Sequence, residues 1–293
     1  MTFLKMLRVK QWTKNVFVFA AYLFTTGWAV TGATKNTLLA FGSMCLLSSA
    51  TYIINDIIDR DKDRNHPTKK NRPFASGALS PATGYVMAAM LALGGFTLGF
   101  VADMKVVYAL LVYVGIQVVY NAGLRSQPVV DVFCIAAGFV VRVIVGALAI
   151  QVQVSVWILL CTATLALLLG FGKRRHEFLL QGANANETRK SLSGYTAQSL
   201  DVLVAFSATC AALTYSIYSV ESVTARNHTG LILTTPIVLF GIARYLVVVF
   251  GSGQTGEPET LVIKDKFILF SFFAYIAAAV IALKDISFPF LSR

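Results

Sequence analysis

The residues best suited to chemistry stand in one run, Asn55-Asp-Ile-Ile-Asp-Arg-Asp-Lys-Asp63, at the end of an apolar stretch. On an α-helix Asn55, Asp59 and Asp63 step by about 40° and ~6 Å each, which makes a single polar ladder. Carboxylate oxygens so spaced suit Mg2+, a hard cation that takes one or two carboxylates and fills its shell with water and substrate phosphate. A magnesium diphosphate substrate is therefore expected, with Asn55, Asp59 and Asp63 as metal-binding and catalytic residues. Asp56 and Asp61 fall elsewhere on the wheel and are weaker candidates, Asp56 as a substrate contact; Tyr52, one turn before Asp56, is a candidate substrate contact expected to face the same cavity as the ladder. Solvated charges at a helix end are the competing reading, but a structural helix end has no need of a carboxylate ladder.

Basic groups follow closely. A turn at His66-Pro67 would fold Lys69, Lys70 and Arg72 back toward the carboxylates, so that acid and base share one diphosphate. Arg142 lies near the middle of an apolar stretch, Gly138 to Gly146, where a charge costs several kcal/mol, about 2.5–3.5 on the insertion scale. It must meet an anion, line a watery cavity or pair with a buried carboxylate. Asp131 is eleven residues away, about three turns, so the two cannot pair along one straight helix, and a substrate phosphate is the better partner. In Gly172-Lys-Arg-Arg-His-Glu177 the adjacent Lys173, Arg174 and Arg175 suit phosphate, although membrane topology alone would also put cations there. Lys14 and Asn15 reach toward a cavity mouth beside Trp12, an interface anchor. Tyr120, Asn121 and Arg125 would bind ribose or phosphate oxygens or serve as helix caps. His66, His176 and His228 have no metal or triad spacing. Cys45, Cys134, Cys161 and Cys210 are isolated in apolar stretches and read as packing residues.

These side chains must be held by a membrane protein. The 293 residues are 56% hydrophobic and 13% charged, with a mean hydropathy of +0.69; soluble domains carry about 25% charge. Windows of about 20 apolar residues recur along the whole chain. Nine are expected, centred near Tyr22, Leu46, Ala92, Val112, Val140, Ala163, Ser207, Val238 and Ala277. The gaps are short, so residues 1–293 read as one integral-membrane domain, all-α and polytopic, with its helices around a central cavity. Most of the 25 basic residues fall in alternate loops, which places the N-terminus, the ladder and Lys173 to Arg175 on the cytoplasmic side and the C-terminus outside. The net charge of +11 thus reflects topology more than nucleic-acid binding. The first residues read as a basic amphipathic lead into the first span, without a signal-peptide cleavage pattern.

The chain resembles the UbiA-type intramembrane prenyltransferase superfamily, nine-helix proteins in which Asn-Asp-x-x-Asp-x-x-x-Asp binds magnesium diphosphate; Asn55, Asp56, Asp59 and Asp63 match every position. Aromatic prenyltransferases of that superfamily carry a second Asp-rich motif where this chain has Gly172 to Glu177, which suggests a phosphate in place of a second magnesium. Together with Gln11 to Asn15, Asn55 to Gly77, Tyr120 to Arg125, Asp131 and Gly138 to Arg142, this resembles the branch of decaprenyl-phosphate phosphoribosyltransferases. The resemblance implies transfer of 5-phosphoribosyl from phosphoribosyl pyrophosphate to a polyprenyl phosphate in the inner membrane, feeding a lipid-linked donor for cell-wall arabinan. It implies Mg2+ as cofactor and no nucleic-acid partner, and leaves homo-oligomerisation open. Arg8-Val9 replaces the branch's usual Arg-Pro, and Asn121 its usual Ser, so acceptor specificity is the feature these changes touch. An aromatic prenyltransferase lacks support from a second acidic motif. An ion or solute transporter is the rival of another class, but its sites tend toward the bilayer midplane, whereas these carboxylates gather at one mouth.

Overall fold

Residues 6–24, 31–64, 69–153, 155–181, 190–251 and 265–283 are described by the computed structural model, and among them there are helices and turns but no strand. With about 20 residues needed to cross a bilayer, seven helical segments are long and apolar enough to do so. They are α1 (Ala33–Ile58), α2 (Pro81–Ala102), α3 (Met104–Ala122), α4 (Val130–Ala149), α5 (Val156–Gln181), α6 (Ala197–Glu221), and α7 (Thr235–Phe250) with the 3-10 turn Thr229–Thr234 before it. α8 (Lys266–Ala282) is apolar but only 17 residues long. Seven expected centres fall in the seven spans, and Ala277 falls in α8. The segment around Tyr22 departs from the expectation of one α-helix: a 10-residue 3-10 helix, Val9–Val18, runs into a short α-helix, Phe19–Phe24. Exposed Tyr85, Val86, Met90, Leu93 and Phe100 on α2 are the surface expected of a helix facing lipid. The molecule is an integral membrane protein.

The chain packs as two compact units. The first comprises residues 1–122 and 141–153; the second comprises 123–140 and 154–293, so α4 gives its first half to the second unit and the rest to the first.

In the first unit Met44, Leu47, Val106, Leu110, Tyr113, Val141 and Val145 form a core between α1, α3 and α4. Ser43 on α1 donates its hydroxyl to the carbonyl of Gly95 on α2 at 2.7 Å, satisfying a buried polar group across the helix pair. The long 3-10 helix meets α4 at Gly146, where an added Cβ would lie 1.9 Å from the carbonyl oxygen of Val18. Only a residue without a side chain allows that approach. A second cluster, Met6, Ile53, Ile57, Phe74 and Ala88, sits below the acidic run. The Phe74 ring fills the space beside Gly84, whose added Cβ would come within 2.6 Å of it.

In the second unit Val132, Leu168, Phe171, Val204, Tyr245, Val248 and Ile268 make the core. α6 starts with a reciprocal cap between Thr196 and Ser199. α8 starts on Asp265, whose carboxylate accepts from the backbone N–H groups of Phe267 and Ile268.

Candidate active site

The acidic run lies where α1 ends. α1 stops at Ile58, Asp59 has φ −87° and ψ 4°, and a short helix Arg60–Arg64 follows. The four-residue step survives the break: Asp59 N–H donates to the carbonyl of Asn55 and Asp63 N–H to that of Asp59, each at 2.9 Å. The ladder is thus real at backbone level, but it is not the whole cluster. Asp56 and Asp63 are both buried, at 4% and 5% exposure, and one nitrogen of Arg72, Nη1, donates to both: 3.0 Å to Asp56 Oδ1 and 2.6 Å to Asp63 Oδ2. This corrects the placement of Asp56 away from the ladder. A spacing of seven residues brings a helical position back to within about 20° of its start, closer than the two four-residue steps that separate Asn55 from Asp63.

Arg72 is aimed by its own segment. Lys69–Asn71 forms one 3-10 turn, the carbonyl of Arg72 accepts from Ser76 N–H at 2.9 Å, and Phe74 is fixed in the core at 1% exposure. The Arg64 guanidinium closes the same loop by donating Nε to the carbonyl of Ala75 at 3.2 Å. Of the three expected cations, Arg72 reaches the carboxylates. The turn expected at His66-Pro67 lies outside the described residues. Lys69 is half-buried and Lys70 exposed.

A further cation, from the N-terminal segment, joins them. Arg8 donates Nε to Asp56 Oδ2 at 3.1 Å and Nη2 to Asp56 Oδ1. Its guanidinium carbon lies 5.1 Å from the centre of the Tyr52 ring, a cation–π contact worth about 0.5–2 kcal/mol. Asn55 Oδ1 is buried with no hydrogen-bond partner among the described residues. An acceptor left so is costly unless a donor or cation meets it. Among the described residues no three His, Cys, Asp or Glu side chains gather into a metal cage. The oxygen donors of Asp59, Asp63 and Asn55 are of the type that Mg2+ takes, beside water and phosphate.

Deeper in the first unit, Arg142 is 5% exposed. Its Nε donates to Asn15 Oδ1 at 2.8 Å, and its Nη2 to the Tyr113 hydroxyl at 3.3 Å. Asn15, wholly buried, turns its Nδ2 to Cys45 Sγ and Ser48 Oγ at 3.3 and 3.2 Å. Asn15 thus sits inside the bundle and not at a cavity mouth, while Lys14 beside it is half-buried. Trp12, expected as an interface anchor, donates its indole N–H to Ser49 on α1 at 3.0 Å. At the end of α3, Tyr120 is half-buried. Asn121 donates Nδ2 to the carbonyl of Gln117 at 2.7 Å, and its Oδ1 is a second buried acceptor without a partner among the described residues.

The basic run of the second unit is mostly turned inward. Arg174 is 1% exposed and donates Nε to Asp131 Oδ2 at 2.7 Å and Nη1 to Glu177 at 2.9 Å. Asp131, wholly buried, also accepts from Ser191 at 3.1 Å and lies 3.5 Å from the Tyr195 hydroxyl. Burial pushes the Tyr195 phenol up, so it stays a neutral donor at neutral pH. Arg175 pairs with Asp201 at 2.5 Å, donates to the carbonyl of Val249 at 2.8 Å, and covers the Phe250 ring. Arg174 and Arg175 were expected on phosphate; both are held in ion pairs of their own unit. Lys173 is half-buried, as is Arg125 in the turn Leu124–Ser126.

Sequence reasoning missed Arg8, Phe74 and Tyr113. In the sequence Arg8 stands out only beside Val9, where the resembled branch has Arg-Pro; the other two are an ordinary aromatic in a loop and one in a span.

Carboxylates bound by guanidinium thus stand at the end of α1, in a bundle of membrane helices. Residues 15–178 match the UbiA prenyltransferase family, and the chain belongs to that family. The decaprenyl-phosphate phosphoribosyltransferase of Mycolicibacterium smegmatis is 31% identical over 93% of this chain and 89% of its own. The protein of the same name from Corynebacterium glutamicum is 33% identical over 95% of this chain and 86% of its own. In fold, the chain is similar to a UbiA homolog from Archaeoglobus fulgidus bound to DMAPP and Mg2+, with a TM-score of 0.75, 16% identity and coverage of 98% of this chain and 100% of that one.

Proposed function

We propose that this protein transfers the 5-phosphoribosyl group of phosphoribosyl pyrophosphate to a polyprenyl phosphate, decaprenyl phosphate in the first instance, and releases pyrophosphate. The observation that carries the chemistry is the cluster itself: Asp56 and Asp63 joined by Arg72, with Asp59 beside them and Asn55 Oδ1 left without a partner among the described residues. Two relatives named for phosphoribosyl transfer, aligned over more than nine-tenths of the chain, support the choice of donor and acceptor.

Asn55, Asp59 and Asp63 would hold Mg2+, which when bound neutralises the diphosphate and eases its departure. Arg72 then meets the diphosphate oxygens left outside the metal shell, with Lys69 beside it for a diphosphate or 5-phosphate oxygen. A lipid phosphate oxygen attacks the anomeric carbon as the bond to the diphosphate breaks, and pyrophosphate leaves with the electron pair. Such a displacement passes through oxocarbenium character and inverts the anomeric centre, giving a β-linked product from the α-diphosphate. The attacking phosphate is already ionised near neutral pH, so no side chain need remove a proton. That agrees with histidines that show no catalytic spacing.

Arg142 is retained as a phosphate ligand, because a guanidinium kept inside a membrane bundle attracts an anion. Lys173 is the member of the second basic run retained for phosphate, and Lys14, Tyr52, Tyr120, Asn121 and Arg125 as contacts to substrate oxygens. The lipid chain, about 50 carbons at roughly 0.8 kcal/mol per methylene, stays in the bilayer. Nine spans, a cytoplasmic N-terminus and a site facing the cytoplasm in the inner membrane complete the reading, supported by the distribution of basic residues.

The test is incubation of purified protein in detergent with labelled phosphoribosyl pyrophosphate, polyprenyl phosphate and Mg2+, following label into the organic phase. We expect labelling that a chelator abolishes and that Asp59→Asn eliminates while the variant still purifies as folded protein. Full activity of Asp59→Asn would remove the metal assignment. Absence of label, in protein that prenylates an aromatic acid from a polyprenyl diphosphate, would move the reading to aromatic prenyl transfer.

A further inference from the structure

We infer that Arg8 is a second diphosphate-binding arginine of this site, and that Asp56 acts as the positioning residue for Arg8 and Arg72 and not as a metal ligand. The inference deepens the transferase reading and rests on it for the identity of the anion.

The hydrogen bonds of Asp56 assign its role. Oδ2 accepts from Arg8 Nε at 3.1 Å, and Oδ1 accepts from Arg8 Nη2 and from Arg72 Nη1, the latter at 3.0 Å. Both carboxylate oxygens are thereby committed to guanidinium. Arg72 takes only one oxygen of Asp63, at 2.6 Å. A metal can recruit Asp63 through its other oxygen without breaking that pair, whereas recruiting Asp56 would release two arginines at once. The acidic run thus divides its labour: Asp59 and Asp63 toward the cation, Asp56 toward the arginines.

Arg8 and Arg72 balance Asp56 and Asp63 in charge, and what they leave unspent is hydrogen-bond donors. Arg8 grips Asp56 side-on through Nε and Nη2, the two-point geometry that guanidinium and carboxylate favour. Among the described residues Arg8 Nη1 and both Nε and Nη2 of Arg72 make no hydrogen bond. The burial gradient gives the direction. The Asp56 side chain is 5% exposed, while those of Arg8 and Arg72 are 22% and 28% exposed. The guanidiniums therefore stand on the open side of the carboxylate, where an anion would arrive.

The backbone of Arg8 is bent to serve this placement. Its φ of 50° and ψ of 44° put a residue with a long side chain in the left-handed region just before the helix Val9–Val18. Such conformations are uncommon outside Gly, Asn and Asp, and persist where the surroundings enforce them. Here the enforcement is visible: Asp56 on one side of the guanidinium and the Tyr52 ring under it, 5.1 Å away. Tyr52 and Asp56 are one turn apart on α1, so a single helix face holds Arg8 in orientation.

The experiment is calorimetric titration of inorganic pyrophosphate with Mg2+ into the full-length protein in detergent, for the wild type, Arg8→Gln and Arg8→Lys, beside steady-state kinetics for both substrates. Removing a charge-assisted contact should weaken pyrophosphate binding and raise the KM for phosphoribosyl pyrophosphate about 10- to 100-fold. The KM for the lipid phosphate should change less than about threefold, because the acceptor does not meet that contact, whereas kcat should also fall, because the contact is to the departing diphosphate. Arg8→Lys keeps the charge without the fork and should fall between wild type and Arg8→Gln. Unchanged pyrophosphate affinity in Arg8→Gln would overturn the inference. So would equal losses in both KM values and in thermal stability with no rescue by lysine, the signature of a strut that only anchors the N-terminal segment. Should Arg8→Gln not purify as folded protein, Arg8→Lys decides alone: weakening of about threefold or more supports the inference, and wild-type affinity overturns it. The two readings fail separately. Arg8-dependent pyrophosphate binding in a protein that transfers no phosphoribosyl group would sink the donor assignment and leave Arg8 in place. Phosphoribosyl transfer indifferent to Arg8→Gln would sink only Arg8.

Discussion

Arg174 and Asp131 form an ion pair with side chains 1% and 0% exposed, joined at 2.7 Å. Removing one partner of such a pair strands a buried charge, at a cost of about 3–5 kcal/mol. Arg174→Ala should therefore lower the melting temperature in detergent sharply, and lose activity in proportion to folded protein rather than through substrate affinity. Arg174→Met with Asp131→Leu should be less destabilised than the sum of the single variants, because the double variant has no stranded charge. A stable Arg174→Ala with a raised KM would restore the phosphate role that its sequence position suggested.

The position of Arg72 gives an expectation of opposite sign for its two ligands. Its Nη1 holds Asp63 Oδ2 at 2.6 Å, so in the absence of diphosphate it sets a like charge beside a cation held at the other oxygen of that carboxylate. Arg72→Ala should bind Mn2+, a paramagnetic substitute for Mg2+, several-fold more tightly when no diphosphate is present, by removal of a like charge at contact distance. The same variant should bind pyrophosphate about tenfold or more weakly. Mn2+ titration followed by electron paramagnetic resonance, with and without pyrophosphate, reads both. Weaker Mn2+ binding in Arg72→Ala would show that the guanidinium supports the metal site instead of guarding it.

Much of this was legible in the chain because membrane helices announce themselves by apolar length, and seven expected centres fall inside the seven spans. The acidic cluster was legible for the same reason, since helical spacing fixes which residues align. Where the reading failed, the cause was of another kind. Asp56 ranks below the ladder, as a weaker candidate for substrate contact, when only steps of four are followed, although a step of seven realigns better. Arg8 lies 48 residues from Asp56 and Asn15 lies 127 from Arg142; no local periodicity connects such pairs. Arg174 and Arg175 read as phosphate ligands because three adjacent cations suit an anion, and they also repel one another. What relieves that repulsion, Asp131 and Asp201, is apparent only once α5 is packed against its neighbours.

Asp265 supplies an expectation for acid stability. Its hydrogen bonds from Arg244, the shortest at 2.8 Å, hold its carboxyl below the usual 3.8. A carboxyl whose folded pKa is depressed contributes stability that is present above its unfolded value and is lost as pH falls through the folded one. Thermal melts should therefore show a loss below about pH 4 that is smaller in Asp265→Asn, which keeps the α8 cap but cannot titrate. At neutral pH Asp265→Asn should be the less stable of the two, since it lacks the charge-assisted pair. Identical acid limbs for both proteins would show that the pair carries no linkage.

Arg142 offers the sharpest separation of structure from function in the bundle. Asn15 holds its Nε at 2.8 Å and Tyr113 its Nη2 at 3.3 Å, with the Tyr113 ring 5.1 Å from the guanidinium carbon. If the guanidinium serves a substrate phosphate, Arg142→Ala should lose activity by about 10- to 100-fold or more in protein that still purifies as folded. If it is chiefly a bolt between the 3-10 segment and α4, the same change should strand Asn15 Oδ1 in the interior and unfold the protein at a lower temperature. Arg142→Lys distinguishes further: a lysine reaches a phosphate as a point charge but cannot satisfy Asn15 through a fork-shaped donor. Partial activity in Arg142→Lys with reduced stability would assign the residue both tasks. Full stability with abolished activity would leave the phosphate role standing alone.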